Sequence, residues 1–238
     1  MITIAIGVGE NKDILEACDI FKKEKQDVNL KLIENEELLA KSILDKNINA
    51  TIRGSLTASN VLKQLKERYP KISRATYING QGHEFLISSV GIDEGNTTEE
   101  KLKIAIHCID FLKKLNKTPK IATLSYARPG DYGRSEEINK SLDDTEKLTK
   151  LIEKHTNQKI EDKCVLIDQA IKNKCNILIA PNGIVGNTIF RTLVLLNSWP
   201  SFGAITLGID EIYIDTSRDQ NVEGYLRSLK LAYKLAKL

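Results

Sequence analysis

The chain opens MITIAIGVGENKDILEACDIFKKEK (Met1–Lys25), and the change of period inside this stretch decides the fold class. Ile2–Ile6 is a short apolar run closed by Gly7 and Gly9, the pattern of a buried strand. Asp13–Lys25 then places Ile14, Ala17, Cys18 and Phe21 at helical spacing. The alternation continues outward. Asn29–Ile33 reads as strand, Glu36–Asp45 as helix, Ala50–Ile52 as strand, and Ser55 or Thr57 opens a helix through Leu62 and Leu65 to Arg68. Alternating β and α elements with short turns predict an α/β fold with a mostly parallel sheet covered on both faces.

Two strand runs, Arg74–Ile78 and Glu84–Val90, then follow each other without a helix, joined by NGQG (Asn79–Gly82) as a hairpin or a crossing strand. Thr97 and Glu100 form a capping box for an amphipathic helix through Leu102, Ala105, Ile106, Ile109 and Leu112. Strand Lys120–Leu124, a polar loop Ala127–Ser135 and a charged helix to His155 come next. A short helix Cys164–Lys172, strand Asn176–Ala180, helix Val185–Leu196 and strand Gly203–Leu207 follow. The last helix, Asn221–Leu238, is expected to pack back onto the first domain. There is no internal repeat or low-complexity stretch.

Composition excludes several classes. At 238 residues, 41% hydrophobic and 28% charged, the chain can bury a substantial core. A net charge of +3 gives no case for nucleic acid. No apolar run reaches a membrane span, and the start lacks a signal-peptide pattern, so a cytoplasmic location is expected. Cys18, Cys108, Cys164 and Cys175 are scattered without a CxxC pair, which predicts free thiols and no metal site. The GVG after the first strand stops short of a dinucleotide fingerprint. His83, His107 and His155 have no matched partner, and His107 reads as a satisfied helix histidine.

Four loops at the carboxyl ends of strands hold the candidate site, because open α/β sheets bind ligands there. Arg53, Gly54, Ser55 and Thr57 precede a helix and suit a phosphate, or else serve as an ordinary cap. Ser125, Arg128, Gly130 and Arg134 offer two guanidinium groups on a glycine-bearing loop, or else an exposed turn. Asn182, Gly186 and Asn187 open another helix, where the glycine allows close approach. Ser217 and Arg218 lie in IYIDTSRDQNVEGYL (Ile212–Leu226) between a strand and a helix whose positive end faces them.

Taken together these loops resemble the phosphate acetyl/butyryltransferase family. KIATLSYARPGDYGRS (Lys120–Ser135), NILIAPNGIVGNTIFRTL (Asn176–Leu193), LGIDEIYIDTSR (Leu207–Arg218) and ATIRGSLTASNVLKQL (Ala50–Leu65) follow that family's motifs in order. In size and loop wording the chain is most similar to its short methanogen branch, the methanogenesis marker protein 4 or methyltransferase-related MtxX family. The resemblance implies an isocitrate/isopropylmalate dehydrogenase-like fold of two α/β domains, 1–91 with 209–238 and 92–208, with an anion-binding cleft between them. It implies an archaeal methanogen source and a transferase acting on, or binding, a phosphorylated or coenzyme-like small molecule or thiol. It also implies a homodimer and coenzyme A as the candidate cofactor. Ser217 and Arg218 would hold the reacting groups. The family's basic aspartate stands seven positions after that serine, where this chain has Gly224, so Glu223 becomes the candidate base. Two alternatives stand beside this reading: an acyltransferase using coenzyme A and an acyl phosphate, and a non-catalytic subunit of a corrinoid or coenzyme M methyltransferase system.

Overall fold

In a computed structural model, which describes residues 1–57 and 59–238, the chain clusters into two compact units. Unit 1 is Met1–Ile72 with Ser201–Leu238, and unit 2 is Ser73–Pro200. The sequence reading draws these boundaries at 91/92 and 208/209 instead. The difference lies mainly in the hairpin after residue 72, whose second strand hydrogen-bonds to a strand of unit 2.

Unit 1 holds strands β1 (Ile2–Gly7), β2 (Val28–Ile33) and β3 (Ala50–Ile52) with helices α1 (Asp13–Glu24), α2 (Glu36–Ile43) and α3 (Ser59–Arg68). The remaining unit 1 elements come from the end of the chain: β9 (Ser201–Leu207), β10 (Tyr213–Asp215) and α8 (Val222–Leu235). Their strand order is β2-β1-β3-β10-β9. The first four are parallel, and β9 runs antiparallel to β10. The core on one face gathers Ala5, Leu39, Ile43, Val61, Leu65 and Tyr213. On α8, Tyr225, Leu229 and Ala232 are fully buried at four- and three-residue steps, the apolar stripe that makes a helix cover a sheet. Tyr233 meets Phe21 of α1 edge-on at 5.8 Å and donates to the Asp27 carboxylate at 2.6 Å. The last helix therefore packs within unit 1.

Unit 2 holds the β4 (Ser73–Gly80) and β5 (His83–Ser88) hairpin, α4 (Thr98–Lys114), β6 (Ile121–Thr123), α5 (Glu136–Thr156), β7 (Glu161–Asp162), α6 (Ile167–Lys172), β8 (Ile177–Ile179) and α7 (Gly183–Phe190). A π-helical stretch, Arg191–Leu196, continues α7. The strand order is β4-β5-β8-β6-β7, parallel from β5 onward. Gln81 and Gly82 turn the hairpin, both at positive φ, the conformation a two-residue turn requires. Ile78, Phe85, Ile87, Ala122 and Leu178 form its core. The Thr97–Glu100 capping box is present in both directions.

Several elements depart from expectation at their ends. The helix assigned to Ser55 or Thr57 begins at Ser59, and Ala58 lies outside the described residues. The helix read from Val185 starts two residues earlier, because Asn182 caps it by accepting from Val185 N at 3.0 Å. The helix read from Cys164 starts at Ile167. Strand β7 is two charged residues long and is held by pairing with β6, which leaves no periodicity to read.

Candidate functional site

The carboxyl ends of β1, β3 and β10 lie together because these strands are parallel, so the segments after them share one end of unit 1. Arg53 follows β3. Its guanidinium pairs with Asp215 at 3.0 Å and donates to the Thr216 carbonyl at 2.9 Å and the Leu56 carbonyl at 2.7 Å. Both charged side chains are mostly buried. Arg53 therefore ties β3 to β10 and has its charge already neutralised. Gly54 sits at φ +62° against the Gly7 carbonyl, where a Cβ would collide. Thr216 Oγ1 closes the same turn onto the Gly54 carbonyl at 2.7 Å. Ser55 Oγ accepts from Gly9 N at 2.8 Å, joining the β1 loop to the β3 loop, and Thr57 is exposed.

The segment after β10 is held from below. Asn11 Nδ2 donates to the carbonyls of Arg218 at 3.1 Å and Gln220 at 2.9 Å. Tyr225 OH donates to the carbonyls of Arg218 at 2.8 Å and Ser217 at 3.1 Å. Burial pushes the Tyr225 phenol up to about 12, so it remains a donor throughout the physiological range. Asn221 caps α8 by accepting from Gly224 N at 2.9 Å. Ser217 is half-buried and Arg218 exposed. The Arg218 guanidinium has no partner among the described residues, while its backbone is fixed twice. The start of α8 supplies the positive end of a 14-residue helix beside it.

Glu223, the candidate base, is 83% exposed at its side chain and lies 3.8 Å from Arg227. Gly224 packs under Gln220, whose side-chain amide carbon occupies the space a Cβ would need.

In unit 2 the candidates divide. Ser125 Oγ donates to the Ala127 carbonyl at 2.9 Å. Asn182 caps α7 and donates to Tyr126 OH at 2.5 Å, linking the β8 and β6 loops. Gly186 lies against the Ser89 carbonyl with no room for a side chain, and Asn187 Nδ2 donates to the Val90 carbonyl at 3.1 Å. These residues knit the ends of β5, β6 and β8 together. Arg128, Gly130 and Arg134 sit apart on an exposed 3-10 turn around Pro129–Asp131, where Arg134 pairs with Asp131 at 3.0 Å.

Among the described residues no cluster of His, Cys, Asp and Glu could hold a metal. His107 Nδ1 bonds Ser73 Oγ at 3.0 Å, and burial lowers its pKa. All four cysteines are free and buried. No described helix is long and apolar enough to cross a membrane. Sequence reasoning passed over Asn11 and Tyr225, which position the Ser217–Gln220 backbone. An asparagine after a glycine pair and a tyrosine on a helix face give no signal by themselves.

No family model matches the chain. It is 36% identical over 239 residues to an uncharacterized methyltransferase of Methanocaldococcus jannaschii, a match covering 97% of this chain and 96% of the relative. It is 38% identical over 189 residues to a protein of Methanosarcina barkeri provisionally named methyltransferase mtx subunit X, covering 78% and 69%. Among solved structures it is similar to a branched-chain phosphotransacylase from Enterococcus faecalis, with TM-score 0.75, 18% identity and 99% of both chains covered. It is also similar to a β-decarboxylating dehydrogenase from Thermococcus kodakarensis, with TM-score 0.63, 13% identity and coverage of 100% and 84%. At these identities the structures establish the mixed α/β fold common to phosphotransacetylases and dehydrogenases of the isocitrate type. By its sequence relatives, the chain belongs to the MtxX family, the methyltransferase-related proteins found in methanogens such as Methanosarcina barkeri.

Proposed function

We propose that this protein binds the anionic group of a phosphorylated or coenzyme-like small molecule at the carboxyl end of unit 1, and that the bound molecule takes part in group transfer. The observation that carries the reading is Arg218. Asn11 and Tyr225 fix its backbone, and its guanidinium is exposed, without a partner among the described residues, beside Ser217 and the start of α8. A fixed backbone removes the backbone share of the ordering cost of binding and leaves only that of the side chain. A guanidinium can grip phosphate or carboxylate through two parallel bonds, and the helix end adds a favourable field. Asp219, exposed next door, opposes an anion and sets a limit on affinity.

Methyl transfer is the reading favoured by the relatives' names, and the word subunit in one of them supports a role inside a larger methyltransferase. Acyl transfer between an acyl phosphate and coenzyme A is the second reading, prompted by the likeness in fold. It requires a base within reach of the thiol. Glu223 faces Arg227 and solvent, and position 224 is a glycine beneath Gln220. Both observations favour binding without that chemistry.

The test is calorimetric titration of the full chain with acetyl phosphate and with phosphate. Arg218→Ala is expected to weaken binding at least tenfold, equivalent to about 1.4 kcal/mol. Unchanged affinity would overturn the site. Thioester absorbance with coenzyme A that vanishes in Ser217→Ala would promote the acyltransferase reading over the others. Co-purification with a methyltransferase, without turnover by the chain alone, would promote the subunit reading.

A further inference from the structure

Lys101 is an outlier in unit 2. It lies in α4 and is only 4% exposed, yet its ammonium makes one contact among the described residues, a 3.2 Å bond to the Pro181 carbonyl. An ammonium has three donors, so two remain unused. Pro181 stands directly before Asn182, the cap of α7. The buried cation is therefore placed at the positive end of a helix, where its own charge is opposed.

Nearby charges do not neutralise it. Asp144 of α5 attracts Lys101 from a distance but is committed to Lys140 at 2.5 Å, and Lys140 in turn repels Lys101. Glu94, in the loop before α4, is paired with Arg74 at 2.8 Å. Each acid is thus matched by another cation, Glu94 through Oε1 only; its Oε2 is buried without a hydrogen-bond partner among the described residues and makes no bond to Lys101. Burial accordingly pulls the Lys101 pKa down.

A second observation points to the same place. The Ser89 hydroxyl, directly after β5, is fully buried and has no hydrogen-bond partner among the described residues. It fills the point where a Cβ on Gly95 would sit, and Lys101 Cγ lies 3.5 Å from that point. Hydroxyl and lysine stem therefore share one side of Gly95. The first N–H groups of α7 are already used, Gly183 on the Glu94 carbonyl and Val185 on the Asn182 side chain, so the helix contributes field rather than bonds. A buried hydroxyl without a partner and a buried cation without a counterion are each unfavourable alone. One oxyanion would satisfy both.

We propose that Lys101 and Ser89 form an anion subsite in unit 2, independent of Arg218, that takes the phosphate or carboxylate of a small molecule. None of the loop motifs read from the sequence includes either residue.

The experiment follows phosphate and acetate titrations of the full chain carrying Arg218→Ala, which isolates this subsite from unit 1. Thermal unfolding is compared with Arg218→Ala/Lys101→Met, and the Lys101 side-chain nitrogen is followed by NMR. The double variant is expected to be at least as stable without anion, because a buried unpaired charge is gone, and to lose the anion-dependent rise in Tm. Ser89→Ala should reduce that rise. The larger response between the two anions names the ligand as phosphate or carboxylate. A Lys101 nitrogen signal unmoved by both anions would overturn the proposal. So would a rise that survives Lys101→Met. If Lys101→Met does not fold, the NMR titration, assigned through Lys101→Arg, decides alone.

Discussion

Two arginines at one end of unit 1 have opposite fates, and each fate is testable by substitution. Arg53 is mostly buried and serves Asp215, Thr216 and Leu56. Removing one member of a buried ion pair costs about 3–5 kcal/mol. Arg53→Met should lower the unfolding free energy measured by urea titration by an amount of that order. Arg218 is exposed and has no side-chain partner among the described residues, so Arg218→Ala should change stability by no more than about 0.5 kcal/mol, while its effect falls on anion binding. Equal losses in the two variants would contradict this division. From sequence both residues read as anion ligands, since each is an arginine after a strand. What separates them is Asp215, distant from Arg53 along the chain and brought to it by the β3–β10 pairing.

At the scale of elements, α8 sets the geometry of the Ser217–Gln220 turn. Its cap is Asn221, and an Asn→Ala change at such a position costs about 1 kcal/mol. Tyr225→Phe removes two bonds to the turn's carbonyls. It should speed tryptic cleavage after Arg218 with little change in the far-ultraviolet spectrum; an unchanged cleavage rate would show that Asn11 alone holds the turn. The short strand β7 supplies a pH prediction. Glu161 accepts from Asn173 and pairs with Lys120 and Lys163, which lowers its pKa from 4.5 to about 2. A depressed carboxylate contributes stability above its unfolded pKa and loses it as pH falls through the folded value. Stability should therefore drop between about pH 4.5 and pH 2, and Glu161→Gln should flatten the drop in that window. This element was invisible in the sequence because two charged residues carry no period. The capping box at Thr97 and the hairpin after residue 72 were legible because each is specified by local chemistry.

For the whole molecule, the alternation of strand and helix in the first 68 residues is enough to announce parallel α/β units, and the structure contains them. The boundaries between units were less legible. Strands β4 and β5 are assigned by which strand β5 pairs with, and pairing across the chain leaves no local trace. The loops named as candidates do lie at strand ends, yet many of their polar groups turn out to be spent on holding those ends together: Ser55 on Gly9, Asn187 on Val90, Arg53 on Asp215. A motif records that a residue type is present, and burial with partner geometry decides whether it is left for a ligand. Lys101 shows the converse, a lysine on an ordinary amphipathic helix whose isolation appears only after folding.

The most direct measurement is the affinity of the full chain for acetyl phosphate by calorimetry in the Lys101→Met background, with and without Arg218→Ala. The account predicts saturable binding that the substitution weakens at least tenfold while Tm without ligand stays put. Saturable binding of equal strength in both proteins, or none in either, would contradict an anion site at Ser217 and Arg218.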